Sequence, residues 1–367
     1  MFSILCMSSS ALKLPLWSIV TPIAAWVFLL GALAGFSGAY EILLVVGLIG
    51  AVIAAVHHAE VVAHRVGEPF GTLLLALAVT VIEVGLVVAL MFAGGKETAS
   101  LARDTVFAAV MIILNGIVGG CLLVGGSRHR EQSFGLLGVS ASLTTLAAIS
   151  VLALVLPNFT ETVVGPYYSS SQLTFIAVVS LALYGMFLLV QAVRHRGYFL
   201  PEVNLGIEVA HAQRPSARTT AAASLLLITS LVVIVLLAKF LAPTLEKVVA
   251  KAGAPRAVVG IIIAFVVLLP EGVSALRAAY ANRLQTSLNL ALGSALASIG
   301  LTIPSVAVVA LITGQQLTLG LDAKSTVLLI LSIYCAGISL STGRTTVLQG
   351  AVHIVLFLVY LFFAVVP

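Results

Sequence analysis

The stretch GTLLLALAVTVIEVGLVVAL, residues 71–90, decides the fold class of this chain. As a helix it would extend about 30 Å, which is the thickness of the hydrocarbon core of a bilayer. Glu83 is the one charged residue in this run, and a second apolar run at residues 258–279 carries Glu271 near its middle. A carboxylate at that depth costs several kcal/mol, so each glutamate is a functional candidate by default.

Composition predicts that nearly the whole chain lies in a membrane. The 367 residues are 61% hydrophobic and 8% charged, with a mean hydropathy of +1.20. A soluble domain carries roughly 25% charged residues. The net charge of +5 comes from scattered loop residues and does not indicate nucleic-acid binding. The three Cys residues are isolated and predict neither a disulfide nor a metal site, and no cofactor is expected.

Eleven segments are long and apolar enough to cross a bilayer as helices. Their apolar residues are continuous rather than alternating, which excludes a β-barrel. We therefore predict an all-α integral membrane protein with about eleven transmembrane helices. The predicted spans are 15–36, 40–62, 71–93, 104–126, 134–156, 172–193, 219–241, 256–278, 287–313, 324–342 and 346–366.

The distribution of Lys and Arg predicts the orientation of these spans. With eleven crossings, eleven of the 18 Lys and Arg residues fall on the side of the N-terminus and seven on the other side. Positive residues accumulate in cytoplasmic loops. The N-terminus is therefore predicted to be cytoplasmic and the C-terminus to lie outside.

The chain also divides into two similar halves around its longest polar stretch, residues 194–218, which is predicted to be a cytoplasmic linker. In each half a Gly-x-Pro (Gly67–Pro69, Gly253–Pro255) precedes a Glu-bearing span, and a span rich in small residues follows. The two Glu-bearing spans run in opposite directions, as in the inverted repeats of secondary transporters. The predicted parts are an N-terminal extra helix in 1–36 and five-helix repeats in 37–193 and 219–367.

Residues beside the two glutamates are candidates for the same site. Pro270 precedes Glu271 and predicts a break in the helix, because proline frees the carbonyl one turn earlier. A freed carbonyl at membrane depth needs a neighbour, a water or a cation. The alternative is a simple proline kink with Glu271 paired to another helix. Ser274 and Thr80 each lie three residues from their glutamate and share its helical face.

Two further spans supply weaker candidates. The amide of Asn115 in MIILNGIVGG suits either a cation ligand or an interhelical hydrogen bond, and both interpretations stay open. Ser294, Ser298 and Thr302 follow one another at four-residue steps. This polar stripe fits helix packing and also offers one candidate ligand.

A histidine-rich segment ends the second span. His57, His58, Glu60 and His64 would suit a metal site or a pH sensor, since His titrates near neutrality. A polar cap at the membrane interface is the simpler interpretation and the one we favour. His353 in the last span is expected to be a packed histidine.

The segments that carry Glu83 and Glu271 resemble the calcium/cation antiporter superfamily. Within it they are most similar to the calcium/proton exchanger branch, and there to the bacterial sodium-potassium/proton and calcium/proton antiporters. The resemblance is carried by AVTVIE (78–83), LLPEG (268–272), HHAEVVAHRVGEPFGTL (57–73) and the long segment from Val266 to Pro304. It implies two inverted repeats in a bacterial inner membrane. It also implies that Glu83 and Glu271 bind cation and proton, and that Asn115 occupies the position of a repeat asparagine.

Two departures from the family pattern affect the expected specificity. Ala297 stands near an expected Gln, and Met111 stands near an expected Ser. Fewer oxygen ligands weaken the case for strict Ca²⁺ selectivity, so Na⁺ or K⁺ is expected beside Ca²⁺ as the ion exchanged for H⁺.

The expected mechanism is alternating access, in which protons and cation compete for the same carboxylates. The alternative is a cation channel with a carboxylate-lined pore. An enzyme is not expected, because neither a nucleophile–base pair nor an HExxH motif is present. The expected partners are the transported ions and membrane lipid. The sequence does not indicate an oligomeric state.

Overall fold

The computed structural model describes residues 14–67, 70–94, 99–200 and 215–366, and these are helical almost throughout. A helix corresponds to each of the eleven predicted spans, which confirms the all-α class. The fourth span is a continuous succession of α4, a π-helix and α5. The helices are α1 (Leu16–Leu33), α2 (Tyr40–Val66), α3 (Phe70–Gly94), α4 (Leu101–Met111), the π-helix (Ile112–Ile117), α5 (Val118–His129), α6 (Leu136–Leu154), α7 (Ser170–Leu189), α8 (Ala217–Lys251), α9 (Ala257–Tyr280), α10 (Leu284–Thr313), α11 (Ala323–Ser339) and α12 (Val347–Val365).

The lengths and surfaces of these helices suit a membrane. Nine helical segments in the described part of the chain have the length and apolarity to cross one, and α11 and the segment Leu77–Phe92 of α3 are shorter apolar helices. Large apolar side chains face outward, including Phe175 and Leu348, each 67% exposed. Lipid tails are as apolar as these side chains, so the exposure carries no penalty in a bilayer. The chain is a multi-pass membrane protein.

The chain forms two compact units, the first of which contains residues 1–79 and 203–237. Its described residues belong to α1, α2, the start of α3 and the first part of α8. α1 packs along α2. The indole nitrogen of Trp26 donates a hydrogen bond to the carbonyl of Thr229 at 3.3 Å. A small apolar core joins Val61, Val62 and Ala223.

The second unit contains residues 80–202 and 238–367 and is built around the fourth span. Of the most apolar 18-residue stretch of that span, 83% is buried inside the protein. Glycines let the neighbouring helices approach it closely. A Cβ on Gly260 of α9 would lie 2.9 Å from the carbonyl carbon of Asp104, and a Cβ on Gly350 of α12 would collide with the backbone nitrogen of Leu123. The fourth span is therefore held on two sides by backbone contact.

Contacts between loops support the predicted pattern of crossings in the second unit. Strand β1 (Glu131–Ser133), after the fourth span, pairs antiparallel with β2 (Arg344–Thr346), after the tenth. At the other end of the fourth span, Tyr167 pairs with Thr318, whose nitrogen donates to the carbonyl of Ala99 at 3.1 Å. Loops predicted to share a side thus contact one another. Which side faces the cytoplasm stays a prediction.

The same contacts give the relative directions of the two Glu-bearing helices. α3 ends five residues before Ala99, at one end of the fourth span. α9 ends at Tyr280, whose carbonyl lies 3.0 Å from the ring Nε2 of His129 at the other end. α3 and α9 therefore run in opposite directions, which is consistent with an inverted repeat.

Contrary to the predicted break at Pro270, α9 is continuous from Ala257 to Tyr280. A proline removes one backbone hydrogen bond, here to the carbonyl of Val266, and the turns on both sides keep theirs. α1, α8 and α10 also contain an internal proline. Irregular helical geometry lies instead in the fourth span, at the π-helix Ile112–Ile117, and after α7, where a second π-helix covers Val190–Arg194.

Parts of the predicted organisation fall outside the described residues. They are residues 1–13, residue 69 of the first Gly-x-Pro, and most of the linker, residues 201–214. The described part of the linker contains a short 3₁₀ turn at Arg196–Tyr198, and α8 begins at Ala217, inside the predicted linker range. The division into two five-helix repeats remains a prediction.

Candidate functional site

Glu83 lies near the middle of α3 and is 3% exposed. Its Oε2 accepts a hydrogen bond from the hydroxyl of Ser298 on α10 at 2.5 Å. Its Oε1 is buried and has no hydrogen-bond partner among the described residues. No Lys or Arg of the described chain forms an ion pair with it. Glu83 therefore offers a buried carboxylate that one neutral donor, Ser298, holds in place through Oε2 without neutralising its charge.

The stripe on α10 supplies hydroxyl groups beside this carboxylate. Ser298 is 2% exposed, and Thr302, one turn later, is fully buried. The hydroxyl of Thr302 has no hydrogen-bond partner within the described ranges. Ser294, one turn earlier, is half-buried. The structure thus assigns the contact with Glu83 to Ser298 and adds Thr302 as a residue with a buried hydroxyl one turn further along α10.

Thr80 is the other candidate on α3. It is 4% exposed and lies one turn before Glu83. Residues three apart on a helix share a face, so its hydroxyl lies on the Glu83 side of α3. Its role at the site stays a prediction.

Glu271 lies on α9 in the same unit and is 7% exposed. Its neighbour Gly272 faces the fourth span, where a Cβ would lie 3.3 Å from Cδ1 of Ile117. Ser274, one turn later, is half-buried. α9 packs against α10, the helix that carries Ser298. Both predicted carboxylates are therefore buried within one compact unit, on helices of opposite direction.

Asn115 makes the interhelical hydrogen bonds that were one of its two predicted roles. Its amide nitrogen donates to the hydroxyl of Ser332 on α11 at 2.8 Å. Its Oδ1 lies 3.1 Å from Nδ1 of His353 on α12. All three residues are at most 1% exposed. The amide oxygen thus already accepts one hydrogen bond, and Asn115 belongs to a second polar cluster, while its role as a cation ligand stays a prediction.

A third buried acid lies near the start of the fourth span. Asp104 is 9% exposed. Its Oδ1 forms an ion pair with Arg103 at 2.7 Å, and its Oδ2 accepts from the hydroxyl of Ser100 at 3.0 Å. Arg103 also donates to the carbonyl of Gly320. Both oxygens of Asp104 are thus satisfied and its charge is compensated, in contrast with Glu83.

The histidine-rich segment lies on α2 in the first unit. His58 is fully buried, and its Nε2 lies 2.8 Å from the carbonyl of Ser18 on α1. The ring of His57 lies 5.1 Å from that of Trp17. Glu60, which lies one turn after His57, is half-buried. The described residues contain no group of three or more His, Cys, Asp or Glu able to hold a metal ion. These contacts fit helix packing, and pH sensing remains a prediction.

Some residues of these clusters are not identifiable from sequence. His353 was expected only to pack, and Ser332 carries no local signal. Each meets Asn115 across more than 200 positions of the chain. The glycines at 116, 119 and 120 beside Asn115 are the one sequence feature that marks a tightly packed segment there.

The fold is that of the cation exchangers. A family model described as sodium/calcium exchanger protein matches residues 36–193 and 222–366, and the chain belongs to this family. The protein y4hA of Sinorhizobium fredii (strain NBRC 101917 / NGR234) is 48% identical over 96% of this chain and 97% of its own. The sodium-potassium/proton antiporter ChaA of Escherichia coli (strain K12) is 37% identical over 88% of each chain. The solved structure of native YfkE has the same fold, with a TM-score of 0.74 and 17% identity over 96% of this chain and all of that one.

Proposed function

We propose that this protein exchanges Ca²⁺, and also Na⁺ or K⁺, for H⁺ across a membrane at a site containing Glu83 and Glu271. Membership of the sodium/calcium exchanger family supports cation transport, and the name of the 37% identical relative supports sodium, potassium and proton as the exchanged ions. The observation that carries the proposal is the buried carboxylate of Glu83, with one oxygen bound to Ser298 and the other without a partner in the described residues.

The chemistry of these groups suits a hard cation. Ca²⁺ takes six to eight oxygen ligands, and carboxylates are its usual charged ligands. The two glutamates supply the negative charge, and the hydroxyls of Thr80, Ser298 and Thr302 supply neutral oxygens. Protons bind the same carboxylate oxygens, so cation and protons exclude each other from the site. This competition is what couples their opposed movements.

Alternating access follows from the charge of the site in its three states. The two carboxylates are neutralised by one Ca²⁺, by two protons, or by one Na⁺ or K⁺ together with one proton, and the site is charged when it is empty. Moving uncompensated carboxylates through a dry barrier costs several kcal/mol, so the empty site should not reorient. The loaded forms therefore carry the exchange, with the site open first to one side and then to the other.

The test is flux driven by a pH gradient in everted membrane vesicles, with Ca²⁺, Na⁺ and K⁺ added separately. We expect an added cation to dissipate the gradient in vesicles with the wild-type protein. Glu83→Gln and Glu271→Gln should abolish this effect, while Glu131→Gln, an exposed acid in β1, should preserve it as the matched control. Normal exchange by both site variants would refute the site. Cation currents that ignore the pH gradient would instead favour the channel alternative.

A further inference from the structure

The second buried cluster, formed by Asn115, His353 and Ser332, has a defined direction of donation. The Ser332 hydroxyl donates to the carbonyl of Leu328 at 2.7 Å, so it accepts from the amide nitrogen of Asn115. The amide oxygen of Asn115 then faces Nδ1 of His353 at 3.1 Å. An amide oxygen only accepts, so the hydrogen bond requires the proton of the imidazole on Nδ1. The cluster thus uses His353 as a donor from Nδ1. Its Nε2 is buried and has no hydrogen-bond partner in the described part of the chain, which favours the neutral ring, because a charged ring would bury a second unpaired N–H.

This cluster holds the irregular part of the fourth span. Asn115 lies inside the π-helix Ile112–Ile117, whose wider turns accommodate one more residue than an α-helix. Such a segment is rare within a helix and tends to occur at functional positions. Ser332 on α11 and His353 on α12 hold opposite ends of the Asn115 amide. They fix its side chain and with it the register of the π-helix.

The π-helix in turn contacts the segment that carries Glu271. Ile117, its last residue, packs against Gly272, where even a Cβ would lie only 3.3 Å from the Ile117 side chain. One turn later Gly120 of α5 faces Leu276 of α9, and a Cβ added at Gly120 would lie 3.2 Å from Cδ2 of Leu276. The backbone beside Glu271 therefore rests on residues whose position depends on the π-helix.

We propose that His353 is a positioning residue for cation exchange, which acts through Asn115 and Ile117 on the placement of Glu271. The proposal rests on the assignment of Glu271 to the exchange site. His353 donates from the neutral ring and neither carries a transported proton nor touches the cation. A change at His353 that keeps a donor should preserve exchange, and a change that removes the donor should weaken cation binding.

The decisive pair of variants is His353→Gln and His353→Leu. The Gln amide can donate to Asn115 and cannot titrate near neutral pH, while Leu fills the space without a donor. In everted vesicles we expect His353→Leu to raise the cation concentration for half-maximal exchange by about tenfold, since a buried hydrogen bond contributes roughly that factor. We expect His353→Gln to stay within about threefold of the wild type, with the same pH profile of exchange.

Two outcomes would overturn the proposal. One is wild-type half-saturation in His353→Leu, which would show that the contact does not position the site. The other is a shifted pH profile or lost exchange in His353→Gln, which would show that titration of the ring matters. Amounts of folded protein are compared by size-exclusion chromatography in detergent. If His353→Leu does not fold, Ser332→Ala replaces it, since this removes the acceptor of the Asn115 amide and should raise half-saturation in the same direction.

Glu271→Gln, measured in parallel, separates this proposal from the proposed function. Normal exchange by Glu271→Gln would refute the assignment of Glu271 and the positioning role of His353 together. Inactive Glu271→Gln with wild-type behaviour of His353→Leu would refute the positioning role alone.

Discussion

Replacing Ser298 with Ala tests the contact that defines the candidate site. The Ser298 hydroxyl donates to Glu83 at 2.5 Å, and the two residues are 2% and 3% exposed, so water does not substitute for the lost donor. A hydrogen bond to a charged group contributes about 1.5–3 kcal/mol. At about 1.4 kcal/mol per factor of ten, this corresponds to roughly a 10- to 150-fold change in an equilibrium constant.

The expected result is weaker binding of the transported cation. The ionised carboxylate loses a donor that orients it, so the cation concentration for half-maximal exchange should rise by about tenfold or more. Ser298→Thr keeps the hydroxyl and should restore most of the affinity. Ser287→Ala is the matched control, because Ser287 is a fully buried serine on the same helix and lies outside the site.

The assay is cation-dependent collapse of a pH gradient in vesicles, with the amount of transporter in each preparation measured by immunoblot. Half-saturation of Ser298→Ala within about twofold of the wild type would refute the reasoning, because a contribution of even 1.5 kcal/mol exceeds that factor. An equal change in Ser287→Ala would show that the effect comes from helix packing.

Two further predictions concern stability, measured by thermal unfolding of the protein in detergent. Gly350→Ala should cost about 1–3 kcal/mol, because the new Cβ would collide with the backbone of Leu123, whereas Gly337→Ala, with open space around it, should change stability little. Asp322→Ala should cost about 0.5–2 kcal/mol, because Asp322 caps α11 by accepting from the nitrogen of Ser325 at 2.9 Å. Partial burial opposes ionisation of Asp322, but hydrogen bonds from Ser325 and nearby cations hold its pKa below the ordinary value. The stabilising effect is therefore present above the ordinary pKa and should be lost as the pH falls through the lowered one.

The helices were predictable because a bilayer leaves few alternatives. A span must satisfy its own backbone hydrogen bonds and must be apolar over about 20 residues, so length and hydropathy locate it. Local exceptions were not predictable in the same way. Pro270 favours a break, yet α9 continues through it, while the π-helix Ile112–Ile117 contains no proline. Whether a helix continues or changes its winding depends on the helices packed against it. The sequence of one segment does not show which helices those are.

The candidate site was partly predictable for a related reason. The cost of burying a charge singles out Glu83 and Glu271 without any knowledge of the fold. The spacing on α10 marks Ser294, Ser298 and Thr302 equally and does not say which one binds a glutamate. Ser298 meets Glu83 across 215 positions of the chain, so that choice is made only in the folded protein.

The contrast between Asp104 and Glu83 shows what an exchange site requires. Both carboxylates are buried, but Arg103 pairs with Asp104 and provides a permanent positive charge. A fixed cation of that kind would compete with any transported ion and would leave no net charge for it to neutralise. Hydroxyl donors orient a carboxylate and leave its charge available. The hydrogen bond from neutral Ser298 therefore suits Glu83 to the proposed binding of protons and cations in turn. Arg103, the neighbour of Asp104 on α4, compensates the charge of Asp104 and donates to the carbonyl of Gly320, which fits a structural role.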